Sequence, residues 1–230
     1  MSKWKGTFKR CLALLGDSWP IILSGLSVAV YMKIDQVMIG ELAGNSAVGI
    51  YTSATKLTEI WYMIPMIIVS SIFPALVQSK DRDEALYYRR ITRLFSLMAA
   101  VSIPIAIPMS LCSNWVVGIL YGPDFAAAGP VLAVHIWASV FVFYGVAQGP
   151  WDLVENLTRL AMVRIVIGAV VNIVLNLWLI PLYGALGAAI ATVVSQALAA
   201  VILNVIHEKT RPILYCQLKS LLFLRYLRGL

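Results

Sequence analysis

Charge is scarce in this chain: Asp, Glu, Lys and Arg make up 13% of the residues, about half of the ~25% usual in a soluble domain. So little charge cannot cover a water-facing surface, which excludes a soluble globular protein. Cysteine is sparse too. Cys11, Cys112 and Cys216 are scattered with no CxxC, and no histidine stands at ligand spacing, so neither a disulfide framework nor a zinc site is supported. The chain also lacks HExxH, GxSxG, a P-loop and a Gly-rich dinucleotide turn. No enzyme, metal or cofactor is therefore expected. Near the start, Cys11–Gly16 is the one apolar run before Asp17, too short for a signal-peptide core. Residues 1–17 read instead as a basic cytoplasmic lead-in lying on the membrane.

Apolar runs are plentiful. A bilayer crossing needs about 20 apolar residues, and six stretches qualify: about 18–40, 47–77, 94–111, 129–149, 160–180 and 185–206. Pro65 or Pro74 is expected to kink or end the second span, and Pro104 with Pro108 to bend the third. Residues 78–93 read as a charged loop, 152–159 as a polar loop holding solvated Asp152 and Glu155, and 207–230 as a basic amphipathic interfacial tail. The expected fold is all-α and integral to the membrane, with a six-helix lobe over residues 18–206.

Lysine and arginine are distributed unevenly. Lys3, Lys5, Lys9, Arg10, Lys80, Arg82, Arg89, Arg90, Arg93, Arg159, Arg164, Lys209, Arg211, Lys219, Arg225 and Arg228 all fall on one side of the predicted spans. By the positive-inside rule that side is cytoplasmic and holds both termini. The net charge of +7 is thus a topological signal and an attraction to anionic lipid, not a nucleic-acid footprint. Trp115, Tyr121, Trp178 and Tyr183 are expected in an outer aromatic belt, Trp19 and Trp151 in an inner one, and Trp61 and Trp137 inside the bundle.

Four charges fall where none is expected: Lys33, Asp35, Lys56 and Glu59 lie within the first two spans. A charge near the bilayer centre costs roughly 2.5–3.5 kcal/mol on insertion scales, so such residues usually pair or line a wet cavity. Thr52, Thr55, Lys56 and Glu59 follow helical spacing along one face, and Lys56 and Glu59 are near enough to pair. Ser24, Ser27, Tyr31 and Asp35 form a comparable stripe, from which Lys33 is turned by about 200°. From their outer ends Lys33 lies about 10 Å deep and Lys56 about 14 Å. Two readings stand: a hydrated cavity whose cations receive an anionic substrate while Asp35 takes up a proton, or an ion-pair network pinning two helices. In the fifth span Gly168, Asn172 and Asn176 recur every four residues, suiting helix–helix hydrogen bonds or a polar cavity wall. Gly184, Gly187, Ala188, Ala191, Ser195 and Ala199 form a small-residue seam for close packing. His135 reads as a hydrogen-bonded structural histidine, and Arg164 as a cation that snorkels to the headgroups.

The stretch WPIILSGLSVAVYMKIDQVMIGELAGNSAVGIYTSATKLTEIWYMIPMIIVSSIFPAL closely resembles the start of the C-terminal half of Wzx-type polysaccharide flippases. ILYGPDFAAAGPVL (119–132) and IPLYGALGAAIATVVSQ (180–196) agree with it. That superfamily includes the multidrug (MATE) exporters. The resemblance implies one six-helix lobe of a twelve-helix, MATE-like transporter in the bacterial inner membrane, which moves undecaprenyl-pyrophosphate-linked O-antigen or capsule repeat units toward the periplasm. It also implies that Lys33 and Lys56 meet the anionic substrate, that Asp35 and Glu59 serve ion coupling or pairing, and that Thr52, Thr55, Asn172 and Asn176 line a polar cavity. The expected partners are the lipid-linked oligosaccharide, membrane lipids, the other lobe or a second copy, and polysaccharide-assembly proteins. A small-cation exporter and a non-transporting scaffold or remnant are the competing expectations.

Overall fold

The computed structural model of the chain describes residues 8–80 and 82–221, so residues 1–7 of the expected lead-in and 222–230 of the expected tail lie outside the described residues. Among the described residues there are helices and turns but no strand. The helices are α1 (Phe8–Ala43), α2 (Asn45–Glu59), α3 (Met63–Lys80), α4 (Glu84–Leu111), α5 (Ser113–Tyr121), α6 (Ala128–Val154), α7 (Thr158–Tyr183), α8 (Ala185–Ala200) and α9 (Arg211–Ser220). Six segments are long and apolar enough to span: Ser18–Ala43, Asn45–Lys80, Glu84–Leu111, Ala128–Val154, Thr158–Tyr183 and Ala185–Val205.

The first five crossings run longer than the apolar patterns suggest, and the turns between them are correspondingly short. Gly44 alone separates α1 from α2 and Gly184 alone separates α7 from α8; both have positive φ, +85° and +57°, which a residue with a Cβ adopts only at a cost. The charged segment 78–93 is mostly helix. Asp83 caps α4, its carboxylate accepting from the Ala85 and Leu86 amides at 2.8 and 3.2 Å, the role an N-cap Asp plays for unpaired first-turn donors.

The second crossing is broken by a 3₁₀ turn at Ile60–Tyr62. Pro65 explains it: its ring crowds the carbonyl four residues back, at Trp61, and removes the hydrogen bond that carbonyl would receive. Pro74 sits inside α3 without ending it. The sixth crossing likewise leaves the α-helix after Ala200 and finishes as a 3₁₀ turn over Ile202–Val205.

The bundle has two apolar cores. One joins Ile39, Tyr51, Val117, Leu132, Ile180 and Ala188, at the end where α1–α2 and α7–α8 turn. The other joins Tyr87, Phe95, Phe143, Trp151 and Ile213, at the end carrying the described arginines and lysines of the turns and α9; these are called the far end and the basic end below. The small-residue seam does pack: a Cβ on Gly187 would lie 2.2 Å from the Leu179 carbonyl oxygen, and one on Gly168 would lie 2.8 Å from Ala199 Cβ.

Some expectations are overturned. Trp151 is buried in the basic-end core, whereas Trp137 is partly exposed on the bundle surface. Asp152 and Glu155 are not a solvated pair in a loop, because α6 continues past Pro150 to Val154 and the turn to α7 shrinks to residues 155–157. Instead, Asp152 is buried against Arg164 at 2.6 Å, and Glu155 pairs with Lys80 at 2.6 Å. Arg164 therefore does not snorkel outward. The described start of the tail, α9, packs against α4, with Ile213 and Cys216 buried and Gln217 and Ser220 hydrogen-bonded to Gln148 and Tyr144 of α6.

Candidate functional site

Asp35 is the centre of a buried polar cluster in the far half of the bundle. It sits eight residues before the end of α1, about 12 Å from that end at 1.5 Å per residue, and is 3% exposed. Tyr51 of α2 donates its phenol to Asp35 Oδ2 at 2.6 Å, Thr192 of α8 donates its hydroxyl to the same oxygen at 2.7 Å, and Asn176 of α7 donates Nδ2 to Oδ1 at 2.6 Å. Asn172, one turn before Asn176, accepts from the same Nδ2 at 3.2 Å. Four helices therefore converge on one carboxylate. Hydrogen bonds to a charged acceptor are each worth about 1.5–3 kcal/mol, above the neutral average, so the cluster is a major tie between the hairpins.

Two details give the cluster chemical range. Thr192 Oγ1 lies 2.7 Å from Asp35 and also 2.9 Å from the Ala188 carbonyl, but a hydroxyl has one proton to donate. It can give that proton to an ionised Asp35, or turn it to Ala188 and accept from a protonated one. Both states of the carboxyl are thus hydrogen-bonded by the same residues. Beside them, Asn176 Oδ1, Asn172 Nδ2 and His135 Nδ1 are buried with no hydrogen-bond partner. The His135 ring stands edge-on to Tyr51 at 5.8 Å, so histidine enters as a packing neighbour of the phenol.

Lys33 and Lys56 are not part of this knot. Both are exposed on the bundle surface, and the ion pairs among the described residues are Lys80–Glu155 and Arg164–Asp152. Neither Lys56–Glu59 nor Lys56–Asp35 pairs, so the expected ion-pair network between the first two spans does not form. Helical phase is the reason: the side of α1 that carries Asp35 turns inward and takes Lys33 outward with it. Measured from the helix ends, Lys33 is about 15 Å deep and Lys56 about 17 Å, so the longer helices bring the two lysines to matching depth near mid-membrane. Glu59 is half-buried at the end of α2, just before the 3₁₀ turn. Thr52 is half-buried, and Thr55 is buried with its hydroxyl turned to the Thr52 carbonyl at 3.3 Å. Asn172 and Asn176 are 0% exposed: Asn176 bonds across to Asp35 of α1, Asn172 accepts from Asn176 within α7, and neither is open to a cavity among the described residues.

A second polar cluster lies at the basic end. Arg164 of α7 bonds to Asp152 of α6 and to Asn204 of the 3₁₀ turn after α8. Asn204, Gln148 of α6 and Gln217 of α9 interlock through their amides at 3.0–3.1 Å. Gln148, Asp152 and Arg164 of this cluster border a cleft of about 410 Å³ whose walls include Ile21, Val28, Met32, Val146 and Ile165.

Tyr51 and Thr192 carry the Asp35 site yet stand out poorly in sequence. Tyr51 directly precedes the Thr52 stripe, and Thr192 falls inside the small-residue seam of α8. Their one signal is helical spacing, since Thr192 follows Ala188 by four residues and puts a hydroxyl on the face that meets α7.

Six apolar crossings around a buried carboxylate define a multi-pass, α-helical membrane protein. The chain belongs to the polysaccharide biosynthesis protein family, whose model matches residues 2–130. It is 30% identical over 188 residues to a protein of Haloferax volcanii named as a probable flippase, an alignment covering 78% of this chain and 38% of that relative. It is 29% identical over 202 residues (86% and 42%) to a probable low-salt glycan biosynthesis flippase of the same organism. It is 24% identical over 205 residues (88% and 48%) to a Shigella flexneri protein named as an O-antigen transporter. The chain thus matches less than half the length of each of these relatives, all named for transport rather than for catalysis.

Proposed function

We propose that this chain forms one six-helix lobe of a flippase that carries lipid-linked oligosaccharide across a membrane. In a bacterial inner membrane the cargo would be undecaprenyl-pyrophosphate-linked repeat units, delivered from the cytoplasmic leaflet, with both chain termini cytoplasmic. The observation that carries this reading is the pair of exposed lysines at matched mid-membrane depth. A cation facing lipid there costs roughly 2.5–3.5 kcal/mol, so Lys33 and Lys56 are better accounted for as one wall of a hydrated cavity. A second lobe, or a second copy of this chain, would close that cavity, and a pyrophosphate or acidic sugar would meet the two ammonium groups.

Asp35 is proposed as the coupling group. Reorientation of the Thr192 hydroxyl lets it take up a proton without leaving a buried donor or acceptor unpaired. Glu59, at the end of α2, is the second carboxylate proposed for coupling or pairing. A small-cation exporter is less well supported, because Asp35 is enclosed by donors and the exposed intramembrane charges of α1 and α2 are positive. The decisive assay is complementation of a flippase-deficient strain with the full transporter. Lys33→Ala and Lys56→Ala should each abolish surface polysaccharide at normal membrane levels. Full activity of both variants would eliminate the anion-receiving wall, and transport indifferent to collapse of the proton gradient would eliminate proton coupling through Asp35.

A further inference from the structure

The transport reading leaves one cavity unused, the cleft of about 410 Å³ between α1 and the wall made by α6, α7 and α8. Ile21, Val28 and Met32 present one face of α1 to it, a strip about 17 Å long at 1.5 Å per residue. That is close to half of a hydrocarbon core about 30 Å thick, so the strip covers about one leaflet. On the facing wall, Gly145 and Gly149 stand one turn apart on α6. Packing does not require either glycine. A Cβ on Gly149 would meet nothing within 4 Å, and one on Gly145 would touch Ala200 Cβ at an ordinary 3.8 Å. Gly168 and Gly187 differ, because a Cβ there would run into the neighbouring helix. Glycine is less favourable than alanine inside a helix, so Gly145 and Gly149 serve the open space rather than a helix contact. The cleft is mostly apolar, and at its basic end Asp152 and Arg164 are matched as an ion pair. Gln196 of α8 also borders it, half-buried and without a hydrogen-bond partner among the described residues. It lies about 17 Å from the start of α8, level with Lys33 and Lys56.

We infer that this cleft holds the polyprenyl chain of the cargo while its pyrophosphate stands at mid-membrane, an assignment that rests on the flippase reading. Met32 lines the cleft and directly precedes Lys33. An anion drawn to Lys33 therefore brings its covalently attached chain to the mouth of the cleft. In a hydrated cavity that chain would expose apolar surface to water; the cleft gives it an apolar wall instead. The headgroup leads and the chain trails toward the leaflet it leaves, which is the basic side. A methyl-branched isoprenoid needs more width than a straight acyl chain, and the two glycines supply width on the α6 side. The Gln196 amide can donate to a phosphate oxygen, which accounts for a polar group otherwise left unpaired in an apolar layer.

The test uses the full transporter in phosphatidylcholine nanodiscs carrying a small fraction of undecaprenyl pyrophosphate, with the photo-crosslinker p-benzoylphenylalanine substituted for Val146, a cleft residue. Mass spectrometry after illumination should show an undecaprenyl pyrophosphate adduct well above that lipid's share of the bilayer. Gly149→Leu and Gly145→Leu should each cut the adduct about tenfold, with the thermal midpoint confirming that each variant is folded. Gly149→Ala should leave it unchanged, and Gln196→Leu should lower it. Phosphatidylcholine adducts in proportion to abundance would mean that bulk lipid fills the cleft and would overturn the assignment. So would full labelling in both leucine variants. Complementation by the lysine variants tests the flippase reading separately, so a complementing wild-type transporter that gives no adduct removes the cleft assignment alone.

Discussion

Asp35 and Asp152, the two buried carboxylates among the described residues, are held in opposite ways. Asp152 faces a guanidinium at 2.6 Å, within a basic-end network that joins α6, α7, the turn after α8 and α9. Asp35 faces no cation; a phenol, a threonine hydroxyl and an amide enclose it in the far half. A matched buried ion pair is stable only while both partners remain, since removing one strands a charge. A carboxyl ringed by hydroxyls can change protonation while its neighbours rotate. The basic-end pair is thus suited to fixing helices, and the Asp35 cluster to a change of protonation, as the proposed coupling role requires.

Stranding a charge at the basic end should give the largest effect. Arg164→Leu leaves Asp152 buried alone and should cost about 3–5 kcal/mol, seen as lost membrane accumulation and a lower denaturation midpoint in micelles. Arg164→Leu combined with Asp152→Leu should recover most of that loss; a double variant as unstable as the single one would contradict a simple pair.

Asp35→Asn should give the reverse pattern. The amide keeps the shape and an acceptor for Asn176, while the Tyr51 and Thr192 hydroxyls can accept from its NH₂ group. Stability should change by about 1 kcal/mol or less, whereas complementation should fail. A transporting Asp35→Asn protein would leave Asp35 with a structural role only.

Thr192 separates the two regions more finely. Thr192→Val removes one hydrogen bond to Asp35 and should cost about 1–2 kcal/mol in the denaturation midpoint. It should also flatten the pH dependence of transport, and Thr192→Ser should restore that dependence. If Val and Ser behave alike in the pH profile, the rotating hydroxyl plays no part in coupling.

The smallest expected effect concerns the thiols at the two ends. Cys112 is exposed at the far end and Cys216 is buried at the basic end, where burial pushes the Cys216 thiol above its usual range, against lesser lowering by the Thr92 hydroxyl and the Lys219 charge. A higher thiol pKa means less thiolate at neutral pH, so Cys216 alkylation should be slow at pH 7 and rise as the medium becomes alkaline. A membrane-impermeant maleimide added to intact cells should label Cys112. Labelling that requires lysis would invert the proposed orientation.

Apolar length and the one-sided placement of Lys and Arg were enough to mark six crossings and the order of their ends, because a bilayer demands about 20 apolar residues wherever a helix crosses it. Local chemistry also marked Pro65 or Pro74 as a break in the second crossing, and the structure decided between them in favour of Pro65. The extent of each helix was less legible. Pro150 suggested the end of the fourth crossing, but packing carried α6 onward and took Asp152 out of water.

Sequence alone therefore determined that this is a six-span, all-α membrane protein with four anomalous charges in its first two spans. It also determined that Lys33 and Asp35 cannot share a face, since 3.6 residues per turn fixes that locally. The tertiary structure alone decided which of those charges is buried and what holds it. Asn176 and Thr192 reach Asp35 from 141 and 157 residues away, and Arg164 meets Asp152 across the α6–α7 turn rather than the headgroups. Such contacts depend on how helices rotate and close against one another, and helical periodicity along one segment contains no information about the facing side chain on another.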